Sequence, residues 1–193
     1  AKQGVRLILT ARSEEKLKKV CKEIEETTTS LVHPLIFDIR DYNACQAAVD
    51  SIPNEFKPVD ILINNAGLAL ETLPIQDGNL QDWEQMIDTN VKGLLYVTRL
   101  ISPQMVARKE GHIINIGSIS SHEVYAGGNV YCATKHAVWA LTQGIRMDLL
   151  PYDIRVTQIS PGAAETEFSI VRFKGDIERA AKVYEGFDPL VEF

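Results

Sequence analysis

The sequence has 193 residues, which is enough for one domain with a substantial hydrophobic core. Its hydrophobic content of 45% and charged content of 24% are typical of soluble globular proteins. The formal net charge is -6 at pH 7, so nucleic acid and anionic membrane surfaces are not expected as partners.

Cysteine usage and hydropathy restrict the expected compartment. Cys21, Cys45 and Cys132 are far apart and odd in number, which argues against a disulfide framework and against a metal site. No apolar run approaches the ~20 residues that span a bilayer, and no signal peptide opens the sequence. We therefore expect a cytoplasmic protein that holds no metal and does not enter a membrane.

Apolar runs and amphipathic segments alternate along the sequence and predict strands and helices in turn. Ser13 is the predicted N-cap of the first helix, because it precedes two glutamates that suit the positive end of a helix. The predicted elements in chain order are the strand "VRLILTA", the helix "SEEKLKKVCKEIEE", the strand "LVHPLIFD", the helix "YNACQAAVDSI", the strand "VDILINNAG", a long helix from about Leu80 to Val106, the strand "HIINIGS", a helix containing Tyr131 and Lys135, and the strand "IRVTQISPG".

This order predicts the fold class. Strands made of continuous apolar runs, each followed by a helix, favour a parallel sheet covered on both faces, which is the doubly wound α/β pattern. No internal repeat or linker divides the sequence, so we expect a single domain over residues 1–193. Ligands of such folds bind beyond the carboxyl ends of the strands.

Polar residues and turn formers follow most of the predicted strands. Each could be ordinary turn chemistry when taken alone, but parallel strands would bring them to one edge of the sheet. In chain order they are Arg12, Asp38, the segment 64–67, Ser118 and the segment 161–162.

Tyr131 and Lys135 are four residues apart and would share one face of a helix. That spacing arises by chance in many helices, so the pair alone could be a proton-transfer pair or an ordinary helix surface. Ser118 precedes Tyr131 by thirteen residues, and Asn90 stands earlier, within the predicted long helix.

The set "NNAG" (64–67), "NVKG" (90–93), "GSIS" (117–120), "YCATK" (131–135) and "SPG" (160–162) resembles the short-chain dehydrogenase/reductase family in order and spacing over nearly the whole sequence. The resemblance implies a Rossmann-like fold and a nicotinamide-dependent oxidoreductase. Its catalytic residues would be Asn90, Ser118, Tyr131 and Lys135. Without the other three, Asn90 could equally be a helix residue that faces water.

The chemistry gives these residue types a reason. Hydride transfer between a carbinol carbon and nicotinamide requires a proton to move on the oxygen, and the pKa of free tyrosine is ~10. A cation ~5 Å away, at an effective dielectric of ~20, would favour the phenolate by about 3 kcal/mol, or roughly two pKa units. Lys135 is expected to supply that cation and Ser118 to hold the substrate oxygen near Tyr131. In the family, Lys135 also holds the nicotinamide ribose, and Asn90 fixes a water beside it.

The end of the first predicted strand bears on the cofactor. An acidic residue there accepts the ribose hydroxyls of NAD, whereas an arginine accommodates the 2′-phosphate of NADP. The strand ends at Arg12 and Ser13 and has no carboxylate in its turn, so NADP is expected, although Arg12 could also be a plain surface residue. The resemblance further implies cofactor contacts, through Tyr131 and Lys135 as well, by Asp38, Ile39 and Asn65, and by Pro161, Gly162, Ala163, Ala164, Glu165, Thr166, Glu167 and Phe168.

One part of the family pattern does not occur in the sequence. Family members begin with a strand and a glycine-rich turn that cradles the pyrophosphate, whereas Gly4 is the only glycine here before Gly67. The final strand and helices of the family have no counterpart before Phe193. We expect a sequence truncated at both ends, which lacks the first strand with its turn and the C-terminal strand.

Two stretches narrow the resemblance. "EVYAGGNVYCATK" and "TEFSIVRFKGD" resemble the 3-hydroxy acid dehydrogenase branch, whose members oxidise L-serine and L-allo-threonine and interconvert 3-hydroxypropionate and malonic semialdehyde. A carboxylate-bearing substrate favours a nearby cation, and we predict that Arg172 binds it beside Ser118 and Tyr131. The alternative is that Arg172 and Lys174 are solvated loop cations.

Three functions remain open from the sequence. The first is an NADP-dependent 3-hydroxy acid dehydrogenase, the second a broad carbonyl reductase of uncharged ketones, and the third a binding module without activity. The resemblance implies a homotetramer formed through the long helices. The apolar Val138, Leu141 and Ile145 could serve that interface or the core.

Overall fold

A computed structural model describes residues 1, 3–186 and 189–190. Strands and helices alternate along most of the chain, as the apolar pattern predicts. The strands are β1 (Leu7–Ala11), β2 (Val32–Ile36), β3 (Ile61–Asn64), β4 (His112–Ile116) and β5 (Arg155–Ile159). The helices are α1 (Glu14–Thr27), α2 (Tyr42–Asp50), α3 (Leu80–Ile87), α4 (Leu94–Arg108), α5 (Asn129–Leu149), α6 (Glu167–Arg172) and α7 (Ile177–Lys182).

All five strands pair in parallel. β1 pairs with β2, and β4 lies between β3 and β5 in a second sheet. The register places Asn64 opposite Asn115 and Ile116 opposite Ile159, so the carboxyl ends of β3, β4 and β5 meet at one edge. The predicted parallel α/β architecture is therefore present, and its ligand-binding edge is defined.

The main core lies between the three-stranded sheet and the helices α4 and α5. Ile113 of β4 and Met105 of α4 are fully buried there, and Leu62 of β3 packs against the same cluster. Ile61 and Ile63 alternate with Leu62 along β3 and are 55% and 57% exposed. Successive side chains of a strand point to opposite faces of the sheet. The described residues therefore cover only the face of β3 to which Leu62 belongs.

The first helix begins where its cap predicts. The Ser13 hydroxyl accepts a hydrogen bond from the Lys16 backbone N–H. Leu17 and Cys21 are the buried residues of α1. Val20 fits the same helical spacing but is 45% exposed, so the buried face of α1 is narrow.

The predicted long helix is interrupted. A π-helical turn, Asp88–Gly93, joins α3 to α4, and it carries Asn90. A Cβ at Gly93 would lie 2.9 Å from the Ile39 side chain, so only glycine permits this close approach of the loop after β2. The wider turn directs the Asn90 side chain into the protein, where it is only 2% exposed.

The apolar residues of α5 mostly serve the core. Val138 is buried and Ile145 packs against the main core cluster, whereas Trp139 and Met147 are exposed. Within the described residues, none of the helices combines the length and apolar character needed to cross a membrane.

Candidate active site

The four residues of the predicted tetrad come from three elements at the carboxyl edge of the sheet. Ser118 follows β4 and caps the short 3₁₀ turn Ile119–Ser121. Tyr131 and Lys135 lie one turn apart on α5, and Asn90 lies on the π-helical turn. Tyr131, Lys135 and Asn90 are all buried.

The Asn90 side chain is fully engaged. Its Oδ1 accepts a hydrogen bond of 2.8 Å from the Leu68 backbone N–H, and its Nδ2 donates to the Leu68 carbonyl at 2.8 Å and to Thr134 Oγ1 at 3.0 Å. Asn90 therefore joins the loop after β3 to α5. The alternative of a helix residue that faces water is excluded by its burial.

Lys135 extends from α5 towards the end of β4. Its Nζ donates a hydrogen bond of 2.9 Å to the Ile116 carbonyl and lies 6.0 Å from the centroid of the Tyr131 ring. A Cβ at Gly67 would lie 3.4 Å from both Lys135 Nζ and Asn90 Oδ1, so a glycine leaves room beside these polar atoms. Burial lowers the pKa of the Lys135 ammonium to about 8.

The pKa of Tyr131 shifts in the direction opposite to the prediction from sequence. Burial raises the pKa of its phenol, and the hydrogen bond from Ser118 and the charge of Arg172 offset only part of that effect. The predicted lowering of the Tyr131 pKa by Lys135 does not outweigh burial, which acts on both groups and also lowers the pKa of the Lys135 ammonium. The opposing cation that acts on Tyr131 is Arg172.

Arg172 lies at the end of α6 and is only 8% exposed. Its guanidinium carbon is 5.2 Å from the centroid of the Tyr131 ring and 5.5 Å from that of Phe168, and one terminal nitrogen donates a hydrogen bond of 2.6 Å to the Tyr125 hydroxyl. The Arg172 Nε is buried and has no hydrogen-bond partner among the described residues. The alternative of a solvated loop cation is therefore excluded for Arg172.

Predicted cofactor residues lie at the ends of β1 and β2. Asp38 is paired with Arg40 at 2.6 Å; hydrogen bonds from Arg40 lower the pKa of its carboxyl, with a smaller contribution from the charge of Arg12. Arg12 is thus close enough to Asp38 to act on it electrostatically. Ser13 caps α1 beside Arg12, and Asn65 is exposed at the end of β3. These side chains offer a cation and several hydrogen-bonding groups to a ligand at that edge.

The segment after β5 begins beside Ser118. The Pro161 carbonyl accepts a hydrogen bond of 3.0 Å from the Ile119 backbone N–H. Further along, Ala164 forms a parallel bridge with Leu190. These backbone contacts place the first part of the predicted nicotinamide-contacting segment next to the turn that holds Ser118.

The second part of that segment divides between two locations. Thr166 caps α6, and Phe168 packs against Tyr131 with ring centroids 5.9 Å apart. Glu167 instead forms an exposed ion pair of 2.6 Å with Lys16 on the first turn of α1. The structure brings Phe168, but not Glu167, to the Tyr131 site.

Comparison with known proteins identifies the family. The family model for short chain dehydrogenase matches residues 1–176. The chain belongs to the short-chain dehydrogenase family. The predicted enzyme class, an oxidoreductase of this family, is thereby confirmed.

The short-chain dehydrogenase relatives cover nearly all of this chain. NADP-dependent 3-hydroxy acid dehydrogenase of Schizosaccharomyces pombe is 42% identical over 186 residues, which are 96% of this chain and 72% of the relative. Sulfoacetaldehyde reductase 2 of Chromohalobacter salexigens is 42% identical over 191 residues, 98% of this chain and 75% of that protein. The closed form of serine dehydrogenase complexed with NADP+ has a TM-score of 0.91 at 45% identity and covers 98% of this chain and 75% of that chain. The predicted single-domain, Rossmann-like fold is confirmed by that superposition.

Three residues beside this short-chain dehydrogenase site were not predicted from the sequence. Thr134 bonds Asn90, while Glu71 and Asp82 pair with cations of the α6–α7 region. Thr134 lies inside the "YCATK" motif, so the motif contained a signal for it. The partners of Glu71 and Asp82 are about a hundred residues away in sequence, and no local pattern indicates them.

The low pKa of Lys135 predicts how stability depends on pH. The folded pKa of about 8 lies below the ordinary value of 10.5, so the unfolded chain binds more protons between these two pH values. The free energy of unfolding of the wild type, relative to Lys135→Met, should therefore rise by up to ~3 kcal/mol from pH 8 to pH 10.5. Urea unfolding of both proteins across that range checks this, and a difference that stays constant would contradict it.

Proposed function

We propose that this protein is an NADP-dependent oxidoreductase that transfers a hydride between nicotinamide and the 3-hydroxyl carbon of small 3-hydroxy acids. The substrates of this class are L-serine, L-allo-threonine and the pair 3-hydroxypropionate and malonic semialdehyde. The observation that supports the acid specificity is the buried Arg172, whose Nε has no hydrogen-bond partner among the described residues. Its guanidinium carbon lies 5.2 Å from the centroid of the Tyr131 ring. A buried cationic donor of this kind favours a carboxylate.

In the proposed mechanism, Tyr131 exchanges the proton of the substrate oxygen. In the oxidative direction, the Tyr131 phenolate accepts the proton of the substrate hydroxyl while a hydride leaves the carbon that bears this hydroxyl. In the reductive direction, the Tyr131 phenol returns the proton to the substrate oxygen. Ser118, which acts on the pKa of Tyr131, would hold the substrate oxygen in line. Lys135 and Asn90 would keep a polar path beside Tyr131 through which the proton equilibrates.

NADP, when bound, would supply the nicotinamide carbon that accepts or donates the hydride. The side chains at the ends of β1 and β2 fit its adenosine half, because Arg12 offers a guanidinium for a 2′-phosphate and Asp38 a hydrogen-bond acceptor. Ile39 and Asn65 would flank that half, and the segment 161–168 would follow the cofactor towards Tyr131. The NADP-dependent relatives support this choice of cofactor.

The compounds for which the relatives are named share one chemical feature. In a 3-hydroxy acid, in serine and in sulfoacetaldehyde, one carbon separates the reacting carbon from an acid group. A fixed cation at one distance from Tyr131 would recognise that spacing in each of them. This common geometry supports Arg172 as the group that binds the acid.

The test is an assay of the full-length protein with NADP and with NAD against L-serine, D-serine, L-allo-threonine, 3-hydroxypropionate and 1-propanol. We expect turnover of hydroxy acids with NADP, weaker turnover with NAD, and a much lower kcat/KM for 1-propanol, which matches 3-hydroxypropionate without its acid group. Rapid reduction of uncharged ketones without turnover of any hydroxy acid would favour a broad carbonyl reductase instead. Inactivity with every substrate, unchanged by Tyr131→Phe, would contradict a catalytic role altogether.

A further inference from the structure

The segment that carries Arg172 is built from two short helices. We call residues 166–182 the Arg172 segment; it contains α6 and α7, which have six residues each, and the residues 173–176 that join them. Helices this short are not stable in isolation. Contacts with the rest of the protein must therefore determine where the Arg172 guanidinium lies.

Glu71 makes two of these contacts. Its backbone N–H donates a hydrogen bond of 2.9 Å to the Arg172 carbonyl, and its carboxylate pairs with Arg179 at 2.7 Å. Arg179 in turn lies 4.3 Å from the centroid of the Phe173 ring, so its guanidinium is held on two sides. Glu71 itself has a φ of 54°, a left-handed conformation that is uncommon for residues other than glycine.

Asp82 makes the corresponding contact from α3. Its carboxylate pairs with Lys174 at 2.8 Å, and its side chain is only 13% exposed. Lys174 and Arg179 both follow Arg172 in the chain. The carboxylates of Asp82 and Glu71 therefore hold the segment on the C-terminal side of Arg172. Ion pairs with a largely buried carboxylate are screened less than exposed pairs such as Lys22–Glu26, whose side chains are 76% and 64% exposed.

The pairing also leaves Arg172 unneutralised. Glu71 and Asp82 are each neutralised by another cation of the same segment, and Arg172 forms no ion pair with the described residues. Its guanidinium therefore lies beside Tyr131 without an ion-pair partner among the described residues. A cation held in place without a carboxylate partner is suited to bind an anionic group of a substrate.

We propose that Glu71 and Asp82 are positioning residues for substrate recognition: they hold the Arg172 segment in place and reserve the charge of Arg172 for the acid group of the substrate. This inference rests on the proposed function, because it assumes that Arg172 binds that acid group. Neither carboxylate needs to touch the substrate or take part in proton transfer.

The kinetic test uses Glu71→Gln and Asp82→Asn, which remove the charge and keep the shape. Each should raise the KM for 3-hydroxypropionate about fivefold while changing kcat much less, and should leave the KM for 1-propanol unchanged. The charge exchange Glu71→Arg with Arg179→Glu should recover most of the loss. Glu26→Gln, which removes one exposed ion pair of α1, is the matched control and should match the wild type.

A second measurement does not depend on turnover. Amide hydrogen exchange of residues 166–182 should be several-fold faster in Glu71→Gln and Asp82→Asn than in the wild type, and unchanged in Glu26→Gln. If the protein turned over no hydroxy acid, the proposed function would fail while faster exchange would still support the positioning role. Unchanged exchange in both variants, or equal KM increases for the acid and for 1-propanol, would overturn the inference.

Discussion

Replacing Tyr131 with Phe should lower kcat for 3-hydroxypropionate about 10³-fold, since the variant loses the group proposed to exchange the substrate proton. The ring itself packs against Phe168 and is retained, and only the hydroxyl is removed. The free energy of unfolding should therefore change by less than about 1 kcal/mol. Steady-state kinetics and urea unfolding of the same preparation give both numbers.

Tyr125→Phe is the matched control for this variant. The Tyr125 hydroxyl accepts a hydrogen bond from Arg172 but has no assigned part in proton transfer. Its loss should leave kcat nearly unchanged and act mainly on KM. If Tyr131→Phe kept its kcat, or if both variants lost kcat equally, Tyr131 could not be the proton-transfer group.

Replacing Arg172 with Ala should raise the KM for 3-hydroxypropionate by about 30-fold, because a hydrogen bond to a charged group contributes about 2 kcal/mol. The KM for 1-propanol should change far less, because an uncharged alcohol gains nothing from the guanidinium. Arg172→Lys keeps the charge but not the planar fork, so it should be intermediate.

The Arg172 variants separate recognition from packing. The guanidinium also lies against the rings of Tyr131 and Phe168, so its loss removes packing as well as charge. A purely structural role would raise the KM for both substrates and lower the free energy of unfolding. Equal effects on 3-hydroxypropionate and 1-propanol would therefore exclude Arg172 as the carboxylate-binding residue.

The secondary structure was predictable from sequence where it depends on neighbouring residues. Ser13 caps α1 as its hydroxyl and the following glutamates indicate, and the apolar runs locate all five described strands. Tyr131 and Lys135 likewise lie one turn apart on α5, as their spacing in the sequence predicts.

Features that depend on distant contacts were not predictable. The π-helical turn at Asn90 accompanies the close approach of Ile39 to Gly93, which no local pattern reveals. The pKa of Tyr131 depends on how deeply α5 and α6 bury its ring. The spacing in the sequence predicted that Lys135 lies near Tyr131, but it did not predict that burial. The sequence left a solvated loop cation open as the alternative for Arg172, because residues far along the chain create its buried environment.

The central claim is that a hydride leaves the hydroxyl-bearing carbon of a 3-hydroxy acid and reaches NADP in this site. The most direct measurement is to incubate the full-length protein with NADP and L-serine deuterated at its hydroxyl-bearing carbon, and to analyse the NADPH by mass spectrometry. Deuterium should appear in the NADPH in proportion to turnover, and Tyr131→Phe should yield almost none. Oxidation of the labelled serine without deuterium in NADPH, or no oxidation of any 3-hydroxy acid, would contradict the claim.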